Sequence, residues 1–597
     1  MGAPAASSAT AWLWVAVPLA GYAATTVLLA VSGRPIPGVP GGRHPLSRIS
    51  RSLEGVSGLP GWAAGAVGTG LLGLVMAATG LYWDVGWHID LGRDESLFTP
   101  AHTLIVLGLG FIALAGAVAV TLATVAGAPA PLRWRRLRVP WSALPLLLLG
   151  MGAMAGFPLD ELWHRFYGVD VTLWGPTHLL MVGGGALAPI ALWLVLAEAA
   201  VDPRSGRVPR LLHGTVAVAT LTGLSAFQAE FDFGVPQFQL LYQPVLILGA
   251  AGVALTSARI VLGPGGALRA AVGFVILRGL VALAVGPALG HTVPRFPLYL
   301  GPTLAVEGAA LLVGTKRPLR FAAGAAAGIA TVGLAGEWAW AQAWARHPWP
   351  VALLPEAALV GSLAALGGAV AGSGLGMAVS GGGSVVRRRA LVGAALALAV
   401  AMALPLPRTA APVQATLDVQ RRGQGAQVAV RLDPPDAARD ARWFEILSWQ
   451  GGGRVQTRLL PTGAGRHEAE HPVPVGGTWK TIIRLHRGTE MMAVPVAMPA
   501  DREIGARAIR PVDRTATFAS DRRILLRESR GGPAWAAMVI FPLLGAVVAA
   551  WVATLVLGAG RVARAHTADG RASSTASPRP RARAGPRSGR APRGPRG

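Results

Sequence analysis

A polytopic α-helical membrane protein with about thirteen spans in repeated helix pairs, plus one small extracytoplasmic β-sandwich, is the fold this sequence predicts. Three observations predict it. Long apolar runs recur through residues 1–406 with short connections between them, and a helix needs roughly 20 apolar residues to cross a bilayer. The whole chain is 52% hydrophobic and only 14% charged, with a mean hydropathy of +0.48, which is not the composition of a large water-soluble enzyme. One segment, 407–532, breaks the pattern with polar, alternating stretches.

Taken in order, the run 11–31 is long enough to span and lacks the basic n-region of a secretory signal, so an anchored first helix is expected there and not a cleaved leader. Segment 32–59 is rich in Pro and Gly and carries Arg34, Arg43, Arg48 and Arg51; it reads as a linker on the cytoplasmic side. Further spans are expected at about 60–82, 101–127, 140–157, 176–200, 212–229, 240–262, 268–287, 301–315, 320–340, 351–378, 389–406 and 533–559, several rich enough in Gly and Ala to pack closely in lipid. With that count the basic connections at Arg133–Arg138, Arg204–Arg210, Lys316–Arg320 and Arg387–Arg389 share one side. In 407–532 the stretches QATLDVQ, QVAVRLD, RWFEILSW and TWKTIIRLH alternate between turn residues, the pattern of an antiparallel sandwich, placed outside by an even number of preceding spans. Residues 533–560 make the final span. The Arg-, Pro-, Gly- and Ser-rich tail 561–597 has no periodicity and is expected to be a disordered cytoplasmic tail.

A net charge of +25 would point to nucleic acid in a soluble protein. Here the arginines sit in short loops and the tail, so the expected partner is the bilayer and its anionic lipid, not nucleic acid, at the plasma membrane. The absence of cysteine excludes disulfides, thiolate ligands, iron–sulfur clusters and cysteine nucleophiles. Any metal must be held by His, Asp, Glu or Met, which leaves copper, zinc, iron or manganese. Phosphate-binding loops, GxSxG elbows and H-E-x-x-H helices are missing, so ATPase and hydrolase readings have no support.

Chemistry concentrates in a polar segment that occurs twice, DVGWHIDLGRDESLFTPAHTL at 84–104 and DELWHRFYGVDVTLWGPTHLL at 160–180. Aligned without gaps, the copies share D-x-x-W-H-x-x-x-G-x-D-x-[ST]-L-[FW]-x-P-x-H-x-L. Asp84 and His88, like Asp160 and His164, are four residues apart and share a helix face if the preceding span continues through them. Pro100 and Pro176 suit the first turn of the next helix, with Ser96, Thr172 or Thr99 as local caps, and His102 and His178 fall in that turn. A tight connection would return each of these over the first pair. The set Asp84, His88, His102, and its counterpart Asp160, His164, His178, would accept copper, zinc or ferrous iron, with open positions for water or substrate. Asp94 and Asp170 could orient a histidine from behind. Trp87, Trp163 and Trp174 are assigned to packing or to an interfacial belt.

The first copy, with D-x-x-W-H at Asp84–His88 followed by RDESLFTPAH, resembles the C subunit of the copper membrane monooxygenases, particulate methane and ammonia monooxygenase. The resemblance implies a copper site near the outer face, with Asp84, His88 and His102 as ligands and Arg93, Asp94, Phe98, Thr99 and Pro100 around them. It implies oxidation of a small apolar or amine substrate and partner membrane subunits. The second copy has Val169 for the Arg and Trp174-Gly175 for Phe-Thr; the segment between the histidines is one residue longer than in that family. Two other readings stay open: a copper transport, sensing or assembly protein that meets a copper chaperone, and a proton-coupled transporter.

Three later outer connections, 229–247, 294–307 and 344–359, resemble worn copies of the unit and carry Glu230, Asp232, Glu307, Glu337, His347 and Glu356 in or beside them. Ionisable groups at membrane depth are functional candidates. The stretch GGTWKTIIRLHRGTEMMAVPVAMP resembles the closing strands of YtkA- and FixH-type sandwiches, which implies copper ligands among His467, Glu468, Glu470, His471, His486, Met491, Met492 and Met498.

Overall fold

The structure, a computed structural model, describes residues 9–33, 44–93, 98–168, 172–381, 386–404, 412–502, 504–525 and 533–575, with Gly597. Its helices are α1 (Ala9–Ser32), α2 (Pro45–Ser57), α3 (Gly61–Asp90), α4 (Pro100–Val125), α5 (Ala143–Tyr167), α6 (Pro176–Glu198), α7 (Arg207–Ser225), α8 (Ala229–Phe233), α9 (Tyr242–Leu262), α10 (Gly266–Leu283), α11 (Leu300–Val313), α12 (Pro318–Gly328), α13 (Leu334–Trp344), α14 (Leu354–Val379), α15 (Arg388–Ala403), α16 (Asp521–Leu525) and α17 (Ala534–Thr575). Every apolar run expected as a span is helical. Among the described residues, 10 helices are long and apolar enough to cross a membrane. Three fall short of that measure: α7, which carries Arg207, Arg210 and His213 in its first two turns, α11 and α15. The 14 residues of α11 reach only about 21 Å, against a hydrocarbon core of roughly 30 Å.

Two segments differ from the sequence reading. The linker 32–59 contains α2, started by Pro45 at its first turn, capped by His44 through the Leu46 amide, and ended by Gly58 at φ 70°. The closing helix α17 continues to Thr575, into the segment expected to be a disordered tail, while 576–596 lie outside the described residues.

Helices α3 to α6 form a closed ring in which α3 packs on α4, α4 on α5, α5 on α6, and α6 back on α3. Small residues make this possible. A Cβ on Gly73 of α3 would lie 2.6 Å from the Gly108 carbonyl oxygen of α4, so the two backbones touch where no larger residue fits. The long pair α9 and α14 centres the rest of the bundle, and α17 returns to α5 and α6, where Trp551 Nε1 donates to the Leu148 carbonyl at 3.1 Å. A small hairpin, β1 (Leu132–Trp134) and β2 (Leu137–Val139), joins α4 to α5 at the end opposite the repeated motifs.

The strands that follow α15 are β3 (Gln414–Arg422), β4 (Gly425–Asp433), β5 (Ala441–Trp449), β6 (Val455–Gly463), β7 (Arg466–Ala469), β8 (Val473–Pro474), β9 (Lys480–Arg487), β10 (Glu490–Ala497), β11 (Arg514–Thr517) and β12 (Ala519–Ser520). They run in the order β11-β3-β4-β7-β6-β5-β9-β10-β12, all antiparallel, with β8 on β4. Strand β6 pairs with β5 and with β7, so the two halves are continuous there. Leu417, Val428 and Val430 from one half and Ile483, Leu485 and Val494 from the other share a single buried core. Strand β9 is buried on both faces because its other side meets the helices. That explains the continuous apolar run TIIRL, where a one-sided strand would alternate.

The β domain docks on the end of the bundle that carries both motifs. The Gln450 and Gly452 amides donate to the Ile89 and Asp90 carbonyls at 2.9 Å each, the Leu240 amide donates to His486 Nε2 at 3.0 Å, and Arg484 Nη2 donates to the Pro236 carbonyl at 2.6 Å.

Candidate metal centre

Asp84 and His88 stand one turn apart in the last part of α3, which runs on to Asp90 beyond the apolar stretch. Thr99 caps α4 by accepting the His102 amide at 3.3 Å, and Pro100 takes the first helical position. The cap sets His102 over α3. Its Nε2 lies 3.0 Å from Asp84 Oδ1, and His88 Nε2 lies 3.6 Å from the same oxygen. The second copy repeats this on α5 and α6: His164 Nε2 is 3.6 Å from Asp160 Oδ2, and His178 Nε2 is 3.5 Å from Asp160 Oδ1.

Both triads pass a geometric test for a metal. In each, the three ligand atoms lie within 4.8 Å of one another, and among the described residues these are the two groups of three such side chains that do so. Bonds of ~2.0–2.2 Å to one ion place tetrahedral donors roughly 3–4 Å apart. The ring tautomers fit as well. His88 Nδ1 lies 2.9 Å from the Gly92 carbonyl, and His178 Nδ1 lies 2.6 Å from the Thr172 carbonyl. A proton on Nδ1 satisfies each carbonyl and leaves the Nε2 lone pair facing the carboxylate, the usual arrangement of a ligating histidine. Gly92 adopts φ 101°, a conformation open to glycine, in the turn that presents its carbonyl. Asp84 Oδ1 is buried, and its nearest polar neighbours are the two ring nitrogens, His102 Nε2 at 3.0 Å and His88 Nε2 at 3.6 Å, so a cation bound there could share this oxygen with both rings.

The two triads open on one cavity of about 1350 Å3. Phe157 lines it with its ring centroid 5.9 Å from that of His102, Leu74, Met181 and Val235 supply apolar wall, and Trp449 and Gln450 reach in from the β domain.

Two further residues build the site, Thr177 without any signal in sequence and Glu230 as a candidate whose place beside the second triad the sequence does not give. Thr177, between Pro176 and His178, donates to Asp160 Oδ1 at 2.5 Å. Glu230 lies in a different connection and accepts the Thr172 hydroxyl at 2.9 Å and the Leu173 and Gln237 amides at 3.0 and 3.1 Å, fixing the loop that carries the Thr172 carbonyl. Burial pushes its carboxyl above the ordinary range, and these three donors oppose the shift. Asp94, Asp170 and Ser96 lie outside the described residues. The tryptophans pack: Trp87 stacks on His291, Trp163 on Tyr167, and Trp174 meets Phe238 edge-on.

The remaining candidates are not brought together. Asp232 pairs with Arg278 at 2.7 Å, Glu307 with Arg259 at 2.7 Å, and Glu356 with Arg442 at 2.5 Å. Glu337 accepts the Leu298 and Tyr299 amides, and His347 meets Glu445 at 2.9 Å. In the β domain, His486 spends one nitrogen on the Leu240 amide and the other on the Glu490 carbonyl. Met491 joins the helical core, Met492 the sandwich core and Met498 a third cluster, while His467 packs edge-on against Phe444. No family model matches the chain, and neither a curated protein nor a solved structure is found to match it.

Proposed function

We propose that this is a multi-pass protein of the plasma membrane that holds transition-metal ions, copper foremost, at Asp84–His88–His102 and Asp160–His164–His178. Zinc or iron would fit the same donors. The observation that carries the reading is the pair of Asp-His-His triads at metal-donor spacing, opening on one partly apolar cavity. In the proposed topology the motif end and the β domain face outward, and the hairpin carrying Arg133, Arg135, Arg136 and Arg138 and the C-terminal tail face the cytoplasm, in accord with positive-inside bias. The motif resemblance then favours a copper-dependent oxidoreductase, monooxygenase-like, acting on a small substrate and working with partner membrane subunits. Bound copper would supply one-electron chemistry toward dioxygen. The chain's part is to hold Nε2 of His88 and of His178 aimed at the ion through the Gly92 and Thr172 carbonyls, and to shape the cavity with Phe157.

A second reading, copper transport, sensing or assembly with a copper chaperone, draws on the same shared cavity, since two sites on one space suit transfer of an ion between them. The proton-coupled transporter reading would draw on acids that already have partners: Asp232 and Glu307 pair with arginines, and Glu337 accepts a backbone amide.

Metal analysis of purified full-length protein tests the proposal. Two ions per chain are expected in the wild type and none in the His88→Ala, His164→Ala double variant. A metal-free wild type, after growth and purification with added copper, overturns it. Oxygen-dependent turnover by the copper-loaded protein selects the enzyme; unchanged oxygen uptake with altered cellular copper in the double variant selects transport.

A further inference from the structure

Between the β domain and the helices lies a second cavity of about 1140 Å3, far more polar in its lining than the first. Six arginines face it, Arg295 and Arg346 from the helical side and Arg439, Arg442, Arg454 and Arg458 from the β domain, against the carboxylates Asp436, Glu445 and Glu470. The balance is less even than that count implies. Glu445 is already shared by His347 and Gln456, and Arg442 is paired with Glu356. Arg295, Arg346 and Arg454 form no ion pair among the described residues; the first two each spend one donor on a backbone carbonyl, and Arg454 Nη2 is shared by the Gly234 carbonyl and Gln456 Oε1 at 2.6 Å. Arg346 Nη2 reaches the Val293 carbonyl at 2.9 Å, Arg295 Nη1 the Trp344 carbonyl at 3.2 Å, and Arg454 Nη2 the Gly234 carbonyl at 2.7 Å. The Nε atoms of Arg346 and Arg454 are buried without a hydrogen-bond partner.

Two of these side chains meet at Gly234: a Cβ there would lie 2.5 Å from Arg454 Nη2 and 2.6 Å from Arg346 Cβ. Burial and the neighbouring Arg346 push Arg454 down to about 9, and burial with Arg295 pushes Arg346 down to about 10. Arg295, Arg346 and Arg454 are half-buried. A cation drawn partly out of water gains from an anionic partner, and unused guanidinium N–H groups in a fixed fork match the oxygens of phosphate or carboxylate.

We propose that this cleft binds a small oxyanion of at least two charges, a phosphate or a polycarboxylate, held by Arg346 and Arg295 of the helical part and Arg454 of the β domain. The anion would bridge the two parts and so stabilise their docking by mass action. The site is separate from the Asp-His-His cavity and does not depend on its reading.

The test uses the full chain in lipid nanodiscs, titrated with orthophosphate or citrate at constant ionic strength, with chloride as control, by calorimetry and thermal melting. One saturable site per chain and a rise in melting temperature with either probe are expected. Arg346→Gln should weaken binding about tenfold, as loss of a charge-assisted contact does, and Arg454→Gln by at least as much. Because Arg454 also holds Gly234 and Gln456, Arg346→Gln decides if the Arg454 variant fails to fold. Absence of saturable binding with both probes, or an Arg346→Gln protein of wild-type melting temperature that binds as tightly, overturns the proposal.

Discussion

The two copies of the motif place the same three candidate ligands in nearly the same geometry, yet each is held from a different direction. In the first copy the support comes from the β domain. Gln450 donates through its side chain to the His88 carbonyl at 3.1 Å and through its amide to Ile89, and Arg93 pairs with Asp501 at 2.6 Å. In the second the support comes from within the bundle, through Glu230 and Thr177. A threonine has moved within the motif. Thr99 caps α4 in the first copy, where the second has Gly175; Thr177 binds the carboxylate in the second, where the first has Ala101. The consequence is chemical: on the proposed reading Asp84 keeps its oxygens for the histidines and an ion, whereas Asp160 Oδ1 already accepts a hydrogen bond from Thr177. A duplicated Asp-His-His set can thus keep its geometry while its supporting contacts diverge.

The largest expected effect separates the copies outright. His102→Ala should lower metal content from two ions to one per chain, with a loss of more than about 100-fold in affinity at the first site, and His178→Ala should do the same at the second. Competition with a chelator should then show the surviving first site, in His178→Ala, to be the tighter one, because no hydroxyl competes for Asp84. Equal affinities would remove the distinction drawn from Thr177.

Acid should act through the β domain, and so on the first copy before the second. His486 is buried and accepts the Leu240 amide, and burial, with Arg442 beside it, pushes its pKa down to about 3 from the ordinary 6.5. A histidine held neutral stabilises the fold fully above pH 6.5. Below that the unfolded chain binds a proton the folded one refuses, so stability falls by up to about 1.4 kcal/mol per pH unit until pH nears 3. Hydrogen exchange at pH 4.5 should show the Gln450 and Gly452 amides opening while the α5–α6 hairpin stays protected. His486→Gln, which can still accept from Leu240 but does not titrate in this range, should flatten the dependence.

How far the sequence carried these conclusions depends on range. The apolar runs, the Asp-x-x-x-His spacing on α3 and α5, and the Pro-x-His starts of α4 and α6 are local, and each formed as its pattern predicts. Helix α2 was hidden because its start depends on His44 and Pro45 amid arginines and serines, with no apolar run. The buried acids were legible as unusual residues but not as paired ones: Asp232 meets Arg278 and Glu307 meets Arg259 across elements, and no spacing rule reaches that far. Glu230 illustrates the same limit at the site itself, since its partners Thr172 and Leu173 lie in another hairpin. Likewise the β domain's part in the first copy rests on Gln450, a residue with no motif around it.

Glu230→Gln gives the next effect in size. The amide oxygen can replace Oε1, which accepts both the Thr172 hydroxyl and the Leu173 amide, but the amide nitrogen then sets a second donor against the Gln237 N–H that Oε2 now accepts. The loop bearing the Thr172 carbonyl should loosen, and metal affinity at the second site should fall about tenfold, with the first unchanged. Loss at both sites would mean that the shared cavity couples them more strongly than their separate supports allow.

Arg93→Ala should have the smallest effect, confined to the first copy. The Arg93–Asp501 pair is about one-fifth exposed on each side, so water screens it, and its loss should cost up to about 1 kcal/mol of docking. The backbone bonds from Gln450 and Gly452 to α3 remain, so Gly92 and the His88 ring it orients should move little. A change in first-site affinity of about fivefold or less is expected, with the second site unaffected. If Arg93→Ala instead abolished metal at the first copy, the ion pair and not the Gln450 contacts would be what holds that triad in place.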